Sequence, residues 1–170
     1  VHSAHPGFAI DCSYSDASAG ALSPNIEACS PSAAYAIACW KAAVAHRVLC
    51  VQDPSSHKVV EMKLHGSFAA THLAPARDRA PLLMVLTDGT RCQIRDGGAW
   101  GQLTGHPNYY GTYSCSRHGV IWERSIGNHS QPHLGIDESR ASWTVRTSEG
   151  TKPLVTRHVA RAYFVATATS

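Results

Sequence analysis

The run from Gly97 to Tyr110, GGAWGQLTGHPNYY, gathers residue types suited to recognition. Trp100, Tyr109 and Tyr110 supply flat faces, His106 and Asn108 supply polar atoms, and the glycines let a ligand approach the backbone. Such a set suits sugars, bases or an apolar partner side chain. The competing reading is architectural, with Trp100 plugging a core and the glycines serving turns. Neither Gly-x-x-x-x-Gly-Lys-Ser/Thr nor Gly-x-Gly-x-x-Gly occurs in the run, which excludes phosphate cradling by those motifs.

Three other sets could carry chemistry. Arg146, Arg157 and Arg161, with Arg140 nearby, fall on the last two expected strands; Arg157 and Arg161 are four apart and share a face of a regular strand. If Arg146 pairs alongside, a basic stripe results that suits an acidic polymer or lipid head groups; the plainer alternative is a face kept soluble by arginine. His106 or His118 with Glu123 and Arg124 is the best case for a small hydrolase or nuclease, in which His and Glu exchange protons and Arg holds a developing anion. Nothing in the spacing enforces that trio, since Glu123 and Arg124 point to opposite faces of a strand. His129 and His133 have the spacing of a helical metal pair, with Asp137 and Glu138 following, but Pro132 between them opposes a regular helix, and no metal or other cofactor is expected. Gly-x-Ser-x-Gly and His-Glu-x-x-His are absent.

These residues need a frame, and the cysteines point to one. Cys12, Cys29, Cys39, Cys50, Cys92 and Cys115 form an even set without a Cys-x-x-Cys pair, which disfavours a thiolate zinc site and suits disulfides in an oxidising compartment. Sequence alone leaves many pairings open; neighbours in order (12–29, 39–50, 92–115) are the simplest. Each bridge would be worth ~2–4 kcal/mol.

The 170 residues, 44% hydrophobic and 16% charged, describe a globular chain, and its net charge of +3 is too small to argue for nucleic acid. Arginine outnumbers lysine 11 to 4, a bias that a GC-rich genome accounts for. No apolar run is long enough for a transmembrane helix, and Val1 to Ile10 lacks the basic start and apolar core of a signal peptide. Residues 1–33 read as a loop-rich segment tethered by a disulfide, with too few large apolar side chains to add much to a core. Residues 34–170 read as a single β domain. In the alanine-rich stretch 34–52, helix and strand compete; partial alternation and RVLCVQ favour two short strands with Cys39 facing Cys50. KVVEMKL, PLLMVLT, TRCQIR, YYGTYSC, VIWER, SWTVRT and LVTRHVARAYFVAT follow as strands, and Asp88-Gly89 predicts a type I′ hairpin turn. The expected fold is all-β, a mainly antiparallel sandwich or small barrel, stabilised by disulfides.

The segments RVLCVQDPSSHKVV, DGTRCQIRDGGAWG, HPNYYGTYSC, GIDESRASWTV and AYFVATA resemble those of secreted or envelope-associated cysteine-containing β domains of mycobacteria and related actinobacteria. The similarity spans about residues 36–168 and implies export and disulfides, but no activity. The reading is therefore a non-catalytic exported binding module, or an accessory subunit of an envelope assembly. It would recognise a protein, an envelope glycan or a lipid head group through the aromatic loop. The alternative is the small secreted hydrolase. A concave pocket gathering His, Glu and Arg favours the enzyme; a flat exposed aromatic or basic patch favours the binder.

Overall fold

Along KVVEMKLHGSF, Val60, Met62 and Leu64 alternate with Glu61 and Lys63, the period of a strand with one buried face. In the computed structural model this run is a strand of the first of two compact units, Val1–Arg79 with Phe164–Ser170; Ala80–Tyr163 forms the second. The structure describes residues 2–3, 9–31, 36–68, 72–95, 101–125 and 134–167. Among them the only helical pieces are single 3-10 turns at Pro54–Ser56 and Ala76–Asp78, so the fold is all-β.

The first unit contains β1 (His2–Ser3), β2 (Ala9–Ala17), β3 (Glu27–Ser30), β4 (Cys39–Lys41), β5 (Arg47–Asp53) and β6 (Lys58–Phe68). The ladder runs from β6 through β2, β3, β4 and β5 and returns to β6, closing a five-stranded barrel; β1 pairs alongside β6. Among the described residues of this unit, the β1 and β2 pairings with β6 are parallel, as is an isolated bridge between Ala21 and Val165. Inside lie Ile10, Val48, Val60 and Met62 together with four cysteines. Cys12–Cys29 ties β2 to β3, and Cys39–Cys50 crosses β4 and β5 at directly opposed positions. A barrel this small holds little apolar bulk, and the two bridges supplement it.

The second unit contains β7 (Leu83–Leu86), β8 (Arg91–Ile94), β9 (Gln102–Leu103), β10 (His106–Cys115), β11 (Val120–Arg124), β12 (Ile136–Asp137), β13 (Thr144–Ser148) and β14 (Val155–Tyr163). Here β11, β10, β8, β7, β14 and β13 pair in that order, all antiparallel, and β13 meets β11 to close the ring. Met84, Leu86, Cys92, Tyr113, Ile121, Ile136 and Val145 fill it. The Tyr113 hydroxyl, which burial would otherwise penalise, donates to Pro81 O at 2.8 Å. Cys92 and Cys115 face each other across β8 and β10 and form the third bridge, so all three bridges join neighbours in sequence.

Several expectations change. The N-terminal stretch is not a loose tether: β2 and β3 are barrel strands, and Ile10, Cys12, Ile26 and Cys29 are buried. The boundary expected near residue 33 falls inside the first unit, and the division comes after Arg79. The physical reason is that β2 is held on one side by the distant β6 in a parallel pairing, and on the other by β3 through an interrupted register that gives no tight hairpin signal. The turn at Asp88-Gly89 is not type I′. Gly89 N donates to Leu86 O at 2.9 Å and only Gly89 has positive φ (79°), which is a type I turn closed by a glycine bulge. The Gly/aromatic run, as far as it is described, is no open loop either; Gln102 to Tyr110 is the β9–β10 hairpin.

Candidate functional site

Val145 is 1% exposed and points into the second barrel, so its strand neighbours Thr144 and Arg146 point outward. Across the β13–β14 ladder Thr144 opposes His158 and Arg146 opposes Thr156, which makes a polar square on the outer face. This square lines a cavity of about 820 Å³, together with Glu123 and Arg124 at the end of β11, Asp137 of β12, and Arg140 and Ser142 of the following segment. A second cavity of about 300 Å³ lies between Gly105, His106, Pro107, Asn108 and Tyr109, and Arg124 lines both. Tyr109 opposes Arg124 across the β10–β11 ladder, so both share one face.

The side chains here are held before any ligand arrives. Arg146 Nη1 donates to the Tyr109 hydroxyl at 2.9 Å, and its guanidinium carbon sits 5.0 Å from the ring centroid. His106 meets the same ring edge-on at 5.6 Å. Ser142 Oγ lies 3.2 Å from His158 Nδ1. Asp137 is occupied locally: hydrogen bonds from Ser139, then the charge of Arg140, hold its carboxyl below the usual range. Among the described residues, none of Arg124, Arg140 and Arg146 forms an ion pair with a carboxylate. The cleft therefore presents three guanidinium groups against the two carboxylates in its lining, Glu123 and Asp137, a positive balance.

A different cluster is built around a single carboxylate. His118 Nε2 lies 2.6 Å from Asp88 Oδ2, and Arg117 and Arg157 approach the same carboxylate at 3.9 and 3.8 Å. The hydrogen bonding of Thr90, then that of His118, holds Asp88 well below the usual carboxylate range. This joins the β7–β8 turn to the β10–β11 turn.

The structure brings together His106, Asn108 and Tyr109 around the smaller cavity, and Arg146 beside them. Tyr110 is separated from Tyr109 by strand alternation; it is 41% exposed and its hydroxyl accepts from Gln102 Nε2 at 3.2 Å. Trp100, His129 and His133 lie outside the described residues. The arginine stripe is split. Arg157 opposes the inward-facing Val145 and donates to Thr147 Oγ1 at 2.9 Å, whereas Arg146 points outward. A bulge between Val159 and Arg161 reverses the phase, so Val159 and Ala162 both pack on the core and Arg161 leaves the face of Arg157. The hydrolase trio is split as well: His118 sits at the turn of the β10–β11 hairpin, while Glu123 and Arg124 sit at its open end. His106 shares only Arg124's cavity.

His158, Ser142, Thr144 and Thr156 were not singled out from sequence. Their signal was the alternation Thr-Val-Arg at 144–146 and Thr-Arg-His at 156–158, legible only once the two strands are paired. For metals, the only grouped ligand types among the described residues are Cys12, Cys29 and Glu27, whose sulfurs are bonded to each other and offer no thiolate.

Fold and site thus define a disulfide-linked all-β protein of two closed barrels, the second with an arginine-lined cleft. No family model, no curated protein and no solved structure matches the chain. The functional reading rests on the site itself.

Proposed function

We propose that the protein is a non-catalytic binding module, exported to an oxidising compartment at the cell envelope or beyond it, that holds an anionic ligand in the cleft of its second barrel. Three bridges that use all six cysteines support the compartment. The observation that carries the binding reading is the trio Arg124, Arg140 and Arg146, unpaired to carboxylate among the described residues around a cavity of about 820 Å³. These three guanidinium groups outnumber the two carboxylates of the cleft, Glu123 and Asp137, and the excess favours a ligand that brings negative charge. Titration of the intact chain with polygalacturonate or polyglutamate at low and high salt tests this. Binding that weakens with salt and falls at least tenfold in Arg124→Ala is expected; salt-independent binding, or none, would overturn it.

A second reading is favoured by one contact. The cleft is concave and gathers Glu123, arginines and His158, as a hydrolase site does, and Ser142 lies within hydrogen-bond reach of His158. Against it, His158 donates no hydrogen bond to a carboxylate among the described residues, the orienting contact that makes such a pair reactive. A fluorophosphonate probe that labels Ser142, and fails to in His158→Ala, would establish the enzyme.

A further inference from the structure

We propose that the anionic ligand is an acidic polysaccharide, seated with a uronate carboxylate on Arg124 and the neighbouring sugar ring against Tyr109. This rests on the reading of the cleft as an anion site. Two cavities of about 820 and 300 Å³ meet at Arg124, so one cation serves two adjoining subsites, the arrangement that consecutive units of a polymer occupy. The smaller is bounded by an aromatic ring, an imidazole and a carboxamide, from Tyr109, His106 and Asn108. An aromatic wall with a few polar groups beside it matches a sugar's apolar C–H surface and its ring of hydroxyls. Arg146 fixes Tyr109 through both its hydroxyl and its ring, so little ordering entropy is left to lose on binding.

An acidic peptide fits less well. Peptides commonly bind β proteins by adding a strand, which requires a free sheet edge. The six-stranded ring is closed, and its only appended strands among the described residues, β9 and β12, are two residues long. The walls of the larger cavity offer the hydroxyls of Thr144 and Thr156, matched to a hydroxyl-rich ligand.

The test compares polygalacturonate, its fully methyl-esterified form and polyglutamate by isothermal titration with the intact chain. Polygalacturonate is expected to bind best, with esterification costing at least tenfold and polyglutamate binding at least tenfold more weakly per site. Tyr109→Ala should weaken polygalacturonate binding about tenfold and leave polyglutamate within twofold, whereas Tyr109→Phe, which keeps the ring, should retain polygalacturonate binding. Melting curves of each variant separate lost contact from lost fold. Equal or tighter binding of polyglutamate would overturn the glycan assignment and leave the anion cleft standing, as would indifference to Tyr109→Ala in a folded protein. No binding of either polyanion would overturn both.

Discussion

In the first barrel two disulfides lie among five strands, and six basic residues face six acidic ones along its sequence; in the second, one disulfide serves six strands, and nine basic residues stand against six acidic. The whole net charge of +3 therefore belongs to the second unit. Each unit buries an acid, Glu27 in the first and Glu123 in the second. Glu27 is fully buried, its Oε2 accepts from the Ser15 hydroxyl, and its Oε1 has no hydrogen-bond partner among the described residues. Desolvation raises its pKa, against the opposing effects of Ser15 and Lys41. In the second barrel the carboxylate that matters to structure, Asp88, is shifted the other way by its partners. The contrast separates a unit whose charges balance from one whose excess cations include three arginines lining a cleft on an outer face, where a ligand can reach them.

The contrast breaks hardest at the N-terminus. A chain beginning at Ser32 removes β1, β2, β3 and both cysteines of the Cys12–Cys29 bridge. The first barrel should lose its cooperative transition altogether while a transition from the second persists, as followed by calorimetry and by hydrogen exchange resolved along the chain. Retention of both transitions would show that β2 and β3 are dispensable.

A smaller effect follows from Glu27. Its folded pKa is raised, so its contribution is fully present below the ordinary value of 4.5 and is lost as pH rises through the folded value. Glu27→Gln cannot ionise and should be the more stable variant at pH 8 by about 1 kcal/mol, with a flatter dependence above pH 5. Denaturant melts across pH check the slope; identical slopes for both proteins would count against a buried acid.

The smallest effect belongs to Asp88, whose folded pKa is depressed. Its contribution is present above the ordinary value of 3.8 and disappears as pH falls further. Asp88→Asn should therefore narrow the loss of stability of the second barrel below pH 4 and leave the first barrel's acid response unchanged, a difference that pH-dependent exchange of β7 and β8 amides reads directly.

How much of this was legible in sequence follows the range of the interactions. Cys39 and Cys50 sit on strands joined by a short turn, and alternation alone placed them face to face. β2 was missed because Ala9-Ile10-Asp11-Cys12 carries little bulk and its parallel partner is distant; its one large aromatic, Tyr14, is 100% exposed where the register with β3 shifts. Tyr109, His106 and Asn108 were found by residue type, since their chemistry is local. Their junction with Arg124 and Arg146 required the β10–β11 and β13–β14 registers, which no local pattern encodes. The bulge after Val159 defeated the arginine stripe for the same reason: one extra residue inverts the faces, and nothing in VARAY marks it.

The central claim is that the position of the second barrel's arginines, and not net charge, confers binding. The direct test sets Arg124→Ala/Arg140→Ala/Arg146→Ala against the charge-matched Arg47→Ala/Lys58→Ala/Lys63→Ala, whose residues lie on β5 and β6 of the first barrel. Both are titrated with polygalacturonate at one ionic strength. The cleft variant should lose at least a hundredfold in affinity with its melting temperature little changed, and the first-barrel variant should stay within about threefold of the parent. Equal losses in the two would contradict the account.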